Sequence, residues 1–288
     1  MDAAGVLALQ RSAGNAAVSQ SLEAQRDDHG ADHEHAHGLP VQRALTNSDR
    51  NYGTTPGTLM RPNMQDQQRL ENVFPRDQNR DFQQFPDPVV FGSVLTGPLN
   101  AQLQRAQGTG APVLGGEQEA APWVQAINPL RHADAYRRNC VDAARSFLAS
   151  WSGNPTVAVG VHGTTDRDLE ADANARTATW LATRWKYDDD QSPSGGSADV
   201  WDTVRTRLER VGHGAASVVL FDRPGGAAHA VCGVNHLGSI VWVDAQRGKV
   251  KVSDPLYQGT TFLTITLSPQ FEAVDAPAPH PTALAPGP

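Results

Sequence analysis

From about residue 215 to residue 267 the chain is a succession of short apolar or alternating runs, "ASVVLFD", "AHAVCGV", "SIVWVDA", "KVKVSDP" and "TFLTITL", separated by turn-forming residues. Continuous apolar runs of this length read as buried strands, and strict alternation reads as strands with one buried face. "AHAVCGV" and "SIVWVDA" flank "NHLG" and form a predicted antiparallel hairpin. The preceding residues carry a different period. Val141, Ala144, Leu148 and Trp151 predict a helix over Asn139–Ser152, with Gly153 just past its end. A second helix is predicted over Asp166–Trp185, with Leu169, Ala173, Trp180 and Leu181 inside, and a third over Ala198–Val211, stopping at Gly212. Helices followed by strands predict an α+β domain, its helices packed on an antiparallel sheet.

The rest of the chain is too polar to extend that core. Over 288 residues the hydrophobic fraction is 39%, the aromatic fraction 6% and the mean hydropathy −0.44, so part of the chain is expected to be linker. Residues 1–25 are Ala-rich and helix-prone. Residues 26–118 are dominated by Asp, His, Gln, Asn, Gly and Pro, and are predicted to be a largely disordered linker with short docking pieces such as "PDPVVFGSVL". The compact domain is expected over 119–274, and the Pro/Ala-rich 275–288 as a disordered tail. His29, His33, His35 and His37 fall in the linker and imply no fixed metal cage, and Asp188–Asp190 reads as a solvated loop.

A formal net charge of −7 and a pI near 5.8 argue against a nucleic-acid binder, whose phosphate contacts need a basic face. No apolar run approaches the roughly 20 residues needed to span a bilayer. Asp2 is acidic where a secretory signal is basic, so no signal peptide is expected and the chain is expected to start in the cytoplasm.

Cys140 and Cys232 are the two cysteines, too few for a disulfide framework. Cys140 stands at the start of the predicted helix, where free backbone N–H groups and the helix dipole favour a thiolate, and Arg137 and Arg138 act in the same sense. His229 is the candidate base. If the hairpin turn is centred between His236 and Leu237, His229 lies opposite Asp244, with Cβ atoms about 4.5–5.5 Å apart. A two-residue change of register brings Gln246 opposite instead, on the same face. Cys232, three residues from His229, is predicted to point to the other face as a core residue.

In sequence, "NPLRHADAYRRNCVDAARSFL" followed by "HAVCGVNHLGSIVWVDAQRG" resembles the papain-fold toxin domain of bacterial polymorphic toxins, a glutamine deamidase. The resemblance covers about Asn128–Gly248 through Asn139-Cys140, Ala228-His229-Ala230 and Asp244-Ala245-Gln246. It implies a papain-like cysteine hydrolase with Cys140 as nucleophile, His229 as base and Asp244 as orienter. It also implies Asn139 and Gln246 as substrate or oxyanion contacts, with no metal or organic cofactor. Papain-like enzymes usually carry an oxyanion-hole Gln a few residues before the nucleophile; Asp134, Ala135 and Tyr136 stand there instead. The N-terminal "LALQRSAGNAAVSQSL" resembles a segment of proteins associated with extracellular contractile injection systems. That likeness implies a cargo that is loaded into a particle and delivered to a target cell, with a protein substrate there and an immunity protein as a further partner. A cysteine protease, a transglutaminase and a non-catalytic structural or adaptor cargo are the competing readings.

Overall fold

The computed structural model describes residues 44–89, 116–165, 168–188, 197–224 and 228–274. The predicted N-terminal helical segment, the four histidines at 29–37 and the tail lie outside them. Seven strands form one sheet among the described residues: β1 (Gln118–Glu119), β2 (Lys186–Tyr187), β3 (Ala216–Asp222), β4 (Ala228–His236), β5 (Ser239–Asp244), β6 (Lys249–Val252) and β7 (Thr260–Leu267). Their order is β1-β6-β5-β4-β3-β7-β2, with every neighbouring pair antiparallel.

The helices are α1 (Met64–Val73), α2 (Pro122–Ile127), α3 (Cys140–Trp151), α4 (Ala173–Trp180) and α5 (Ser197–Val211). Both faces of the sheet are covered. On one, Val218, Cys232, Val234, Val241 and Val243 pack with Phe147, Leu148 and Trp151 of α3. On the other, Val219, Phe221, Val231 and Trp242 pack with Trp201, Val204 and Leu208 of α5. Burial on two sides is why these antiparallel strands read as continuous apolar runs instead of alternating ones. Gly233 permits one close approach: it pairs with Trp242, and a Cβ there would stand 2.8 Å from that indole.

The α+β expectation holds, and α3, α5 and β3–β7 fall close to their predicted spans. The predicted helix over Asp166–Trp185 shrinks to α4. Asp168 instead accepts from the N–H groups of Thr164 and Thr165, both at 2.8 Å, and Asp172 takes a left-handed φ of 57° just before α4. Leu169, predicted to be inside, is exposed. The solvated reading of Asp188 is also corrected: it is buried, and the Arg207 guanidinium grips its carboxylate at 2.6 and 2.8 Å.

The larger correction concerns the linker. Residues 44–89 are built into the domain, which therefore begins well before 119. Leu59, Leu70 and Phe74 are buried, and α1 lies against α2. Asn63 caps α1 by accepting from the Gln65 N–H at 2.9 Å. Polar side chains fasten the segment as much as apolar ones do. Arg50 donates to Ser146 Oγ at 2.6 Å and to the Val157 carbonyl at 2.8 Å, and its Nε lies 3.1 Å from Asp142. Of "PDPVVFGSVL", Pro88 and Val89 are buried and the Trp123 indole N–H bonds the Asp87 carbonyl; the residues from 90 onward lie outside the described set.

Candidate active site

Cys140 is the first residue of α3, and Asn139 before it makes no side-chain cap. The N–H groups of that first turn are therefore not consumed by a capping side chain, and they point past the thiol. The head of α3 can receive an oxyanion.

The imidazole reaches this point from β4. Ala228–Val234 pair with β3, but the β4–β5 ladder begins only at Cys232↔Val243. The turn is centred between Leu237 and Gly238, so the register is the shifted one, and Asp244 is diagonal to His229. The pair still forms: His229 Nε2 lies 2.8 Å from Asp244 Oδ2. The carboxylate accepts that proton, which leaves Nδ1 free of it, and the Cys140 sulfur is close enough to the ring to help raise its pKa. Cys232 points to the face opposite His229, as its three-residue spacing predicts. It lies on the α3 side of the sheet, its thiol 3.6 Å from the Ala144 carbonyl, whereas His229 starts from the opposite side and meets Cys140 at the end of the strand. Cys232 is a core residue, and both cysteines are free.

Burial works against a charge on His229, but the Asp244 carboxylate, its hydrogen bond and the Cys140 sulfur outweigh it and raise the imidazole pKa to about 9. Asp244 is fully buried, which opposes ionisation. The His229 charge and hydrogen bonds from His229, the Tyr257 hydroxyl and the Arg247 N–H nevertheless hold its pKa below the usual value. Burial pushes the Cys232 thiol well above the ordinary range, which makes it a poor nucleophile.

Tyr257 was not recognisable from sequence. Its ring meets His229 edge-on at 5.3 Å, its hydroxyl donates to Asp244 Oδ2, and it accepts from Arg247 at 2.7 Å. It sits in the β6–β7 loop, where no periodicity or motif marks it.

Asn139 and Gln246, expected at the substrate or oxyanion, are hydrogen-bonded to one another. Gln246 Nε2 donates to Asn139 Oδ1 at 3.3 Å, and Asn139 Nδ2 donates to Asn128 Oδ1 at 3.1 Å and to the Val159 carbonyl at 2.9 Å. Asn128 in turn donates to the Gln246 carbonyl at 2.8 Å. The three carboxamides tie the head of α3 to the β5–β6 turn, which fixes Cys140 relative to Asp244. Behind them Arg138 collects loop carbonyls, among them Gly163 at 2.8 Å and Asp168 at 2.9 Å. One turn into α3, Asp142 meets Arg145 at 3.2 Å, and Arg145 binds both oxygens of Glu170 at 2.6 Å.

These residues fall inside a known sequence pattern. Residues 138–249 match the model of a family described as papain fold toxin 1, glutamine deamidase. The match spans Cys140, His229, Asp244 and Gln246, and it supports a papain-fold toxin deamidase domain in this part of the chain. No curated protein and no solved structure matches the chain. Residues 44–89 lie outside the matched span yet contribute to the same core, so the folded unit is larger than the family pattern.

Proposed function

We propose that the chain is a toxin effector that deamidates a glutamine side chain of a target-cell protein. The observation that carries this reading is the contact sequence Cys140–His229–Asp244 at the head of α3, inside the span that matches the deamidase family. Cys140 Sγ attacks the carboxamide carbon as a thiolate, its proton held by His229. The backbone N–H of Cys140 stabilises the tetrahedral oxyanion. His229 returns the proton to the nitrogen as the C–N bond breaks and ammonia leaves. A water molecule, deprotonated by His229, then cleaves the thioester to leave glutamate and the free thiol. Asp244 keeps the ring in the tautomer that presents Nδ1 to sulfur and stabilises the imidazolium. The steps call on no metal or organic cofactor. The N-terminal injection-cargo likeness supports delivery by a contractile particle into the target cell, with an immunity protein protecting the producer.

Peptide cleavage and transglutamination use the same acyl-enzyme, and mass spectrometry of treated target-cell proteins separates the three. Deamidation adds about one mass unit at a glutamine, cleavage yields new termini, and transglutamination adds an amine. A second reading, non-catalytic cargo, is favoured by the burial of the pair, with Cys140 9% and His229 2% exposed. Alkylation decides between them. Cys140 that reacts with iodoacetamide below pH 7, and loses that reactivity in His229→Ala, supports the enzyme. A thiol indifferent to His229 sinks it.

A further inference from the structure

A groove of about 540 Å³ opens beside the candidate active site, and Arg131, Arg137, Arg247 and Lys249 line it together with Gln246 and Glu119. In a chain of formal net charge −7, four cations around one opening reverse the overall sign locally. They are contributed by the turn after α2, the 3-10 turn leading into Cys140, the β5–β6 turn and the first residue of β6. The groove is coupled to the chemistry on two sides. Gln246 bonds Asn139, the neighbour of Cys140, and the Arg247 N–H bonds Asp244 at 3.0 Å.

Two carboxylates already pair with Arg247 and Lys249, and Glu119 itself lines the groove. Glu117 pairs with Arg247 at 3.3 Å and Glu119 pairs with Lys249, and Glu119 is held in β1 opposite Lys249. The chain's own Glu117-Gln118-Glu119 therefore samples the ligand chemistry the groove accepts, acids two residues apart. Arg131 and Arg137 are less committed. The Arg137 side chain is 63% exposed and stands 3.8 Å from Asp134, while Arg131 reaches Gln125 only at 3.5 Å.

We propose that this groove binds an acidic segment of the protein substrate, with Arg131 and Arg137 pairing carboxylates that flank the target glutamine. The assignment of a glutamine rests on the deamidase reading; the preference for acids rests on the groove alone.

The test uses the full chain and three synthetic peptides that share a central glutamine flanked by Glu, Ser or Lys. Ammonia release is expected to show kcat/KM about tenfold higher for the Glu-flanked than for the Ser-flanked peptide, the size expected of two or three partly exposed ion pairs. The gain is expected in KM, and to shrink at high salt. The double variant Arg131→Glu, Arg137→Glu is expected to reverse the order and favour Lys flanks. Equal kcat/KM on all three peptides, or an acidic preference unmoved by the double variant, overturns the groove and leaves the deamidase reading standing. If no peptide releases ammonia, fluorescence anisotropy with the Cys140→Ala chain separates the claims. About tenfold tighter binding of the Glu-flanked than the Lys-flanked peptide supports the groove and counts against the deamidase, and equal binding overturns the groove.

Discussion

His229 owes its chemistry to one neighbour. With Asp244→Asn the buried ring loses the charge that offsets its desolvation, and its pKa is expected to fall well below about 9, read from the imidazole resonance in a pH titration by NMR. Amidase turnover should drop by about 10²–10⁴, as when a triad carboxylate is neutralised without changing shape. The same pair shapes stability against pH. The folded pKa of His229 is raised from 6.5, so its contribution is fully present below about 6.5 and is lost as pH rises through about 9. That of Asp244 is lowered from 3.8, so its contribution is present above 3.8 and is lost as pH falls through the folded value. Urea midpoints of the wild type should therefore decline from neutral pH toward pH 10 more than those of His229→Gln. Cys140, His229 and Asp244 were legible because each sits in a short motif at the edge of a predicted element. Tyr257 was not, because its role comes from the path of a loop.

Among the elements, α3 carries the most constraint. Asn139→Ala removes the shared partner of Asn128, Gln246 and the Val159 carbonyl, leaving buried polar groups unpaired. It should cost about 1–3 kcal/mol in a denaturant titration, with the slope unchanged. Turnover should fall as well, because the same bonds hold Cys140 against the β5–β6 turn. The β4–β5 hairpin was recognisable from its two apolar runs, but its register was not. "NHLG" allows the turn to be centred on either side of Leu237, and the structure selects the Leu237-Gly238 centre, with both residues at positive φ (51° and 88°). Gly238 carries that conformation without strain, and the choice moves Asp244 from directly opposite His229 to diagonal.

At the scale of the whole molecule, the folded unit depends on residues 44–89. A chain beginning at Gly116 lacks Leu59, Leu70 and Phe74 and the Arg50 contacts to α3. Removing one such buried side chain costs about 2–5 kcal/mol against a total stability of about 5–15 kcal/mol. That chain is expected to show no cooperative thermal transition by circular dichroism, whereas a chain beginning at Ala44 should melt cooperatively. Local pattern by itself determined the α+β class, the spans of α3, α5 and most strands, and the candidate nucleophile and base, because periodicity and short motifs are properties of neighbouring residues. Tertiary structure alone decided the place of 44–89, the buried Asp188–Arg207 pair, the hydrogen bond between Asn139 and Gln246, and the basic groove. Each of these joins groups far apart in the chain. Whether a polar side chain is solvated or buried depends on which distant partner the fold brings to it, and no local period records that.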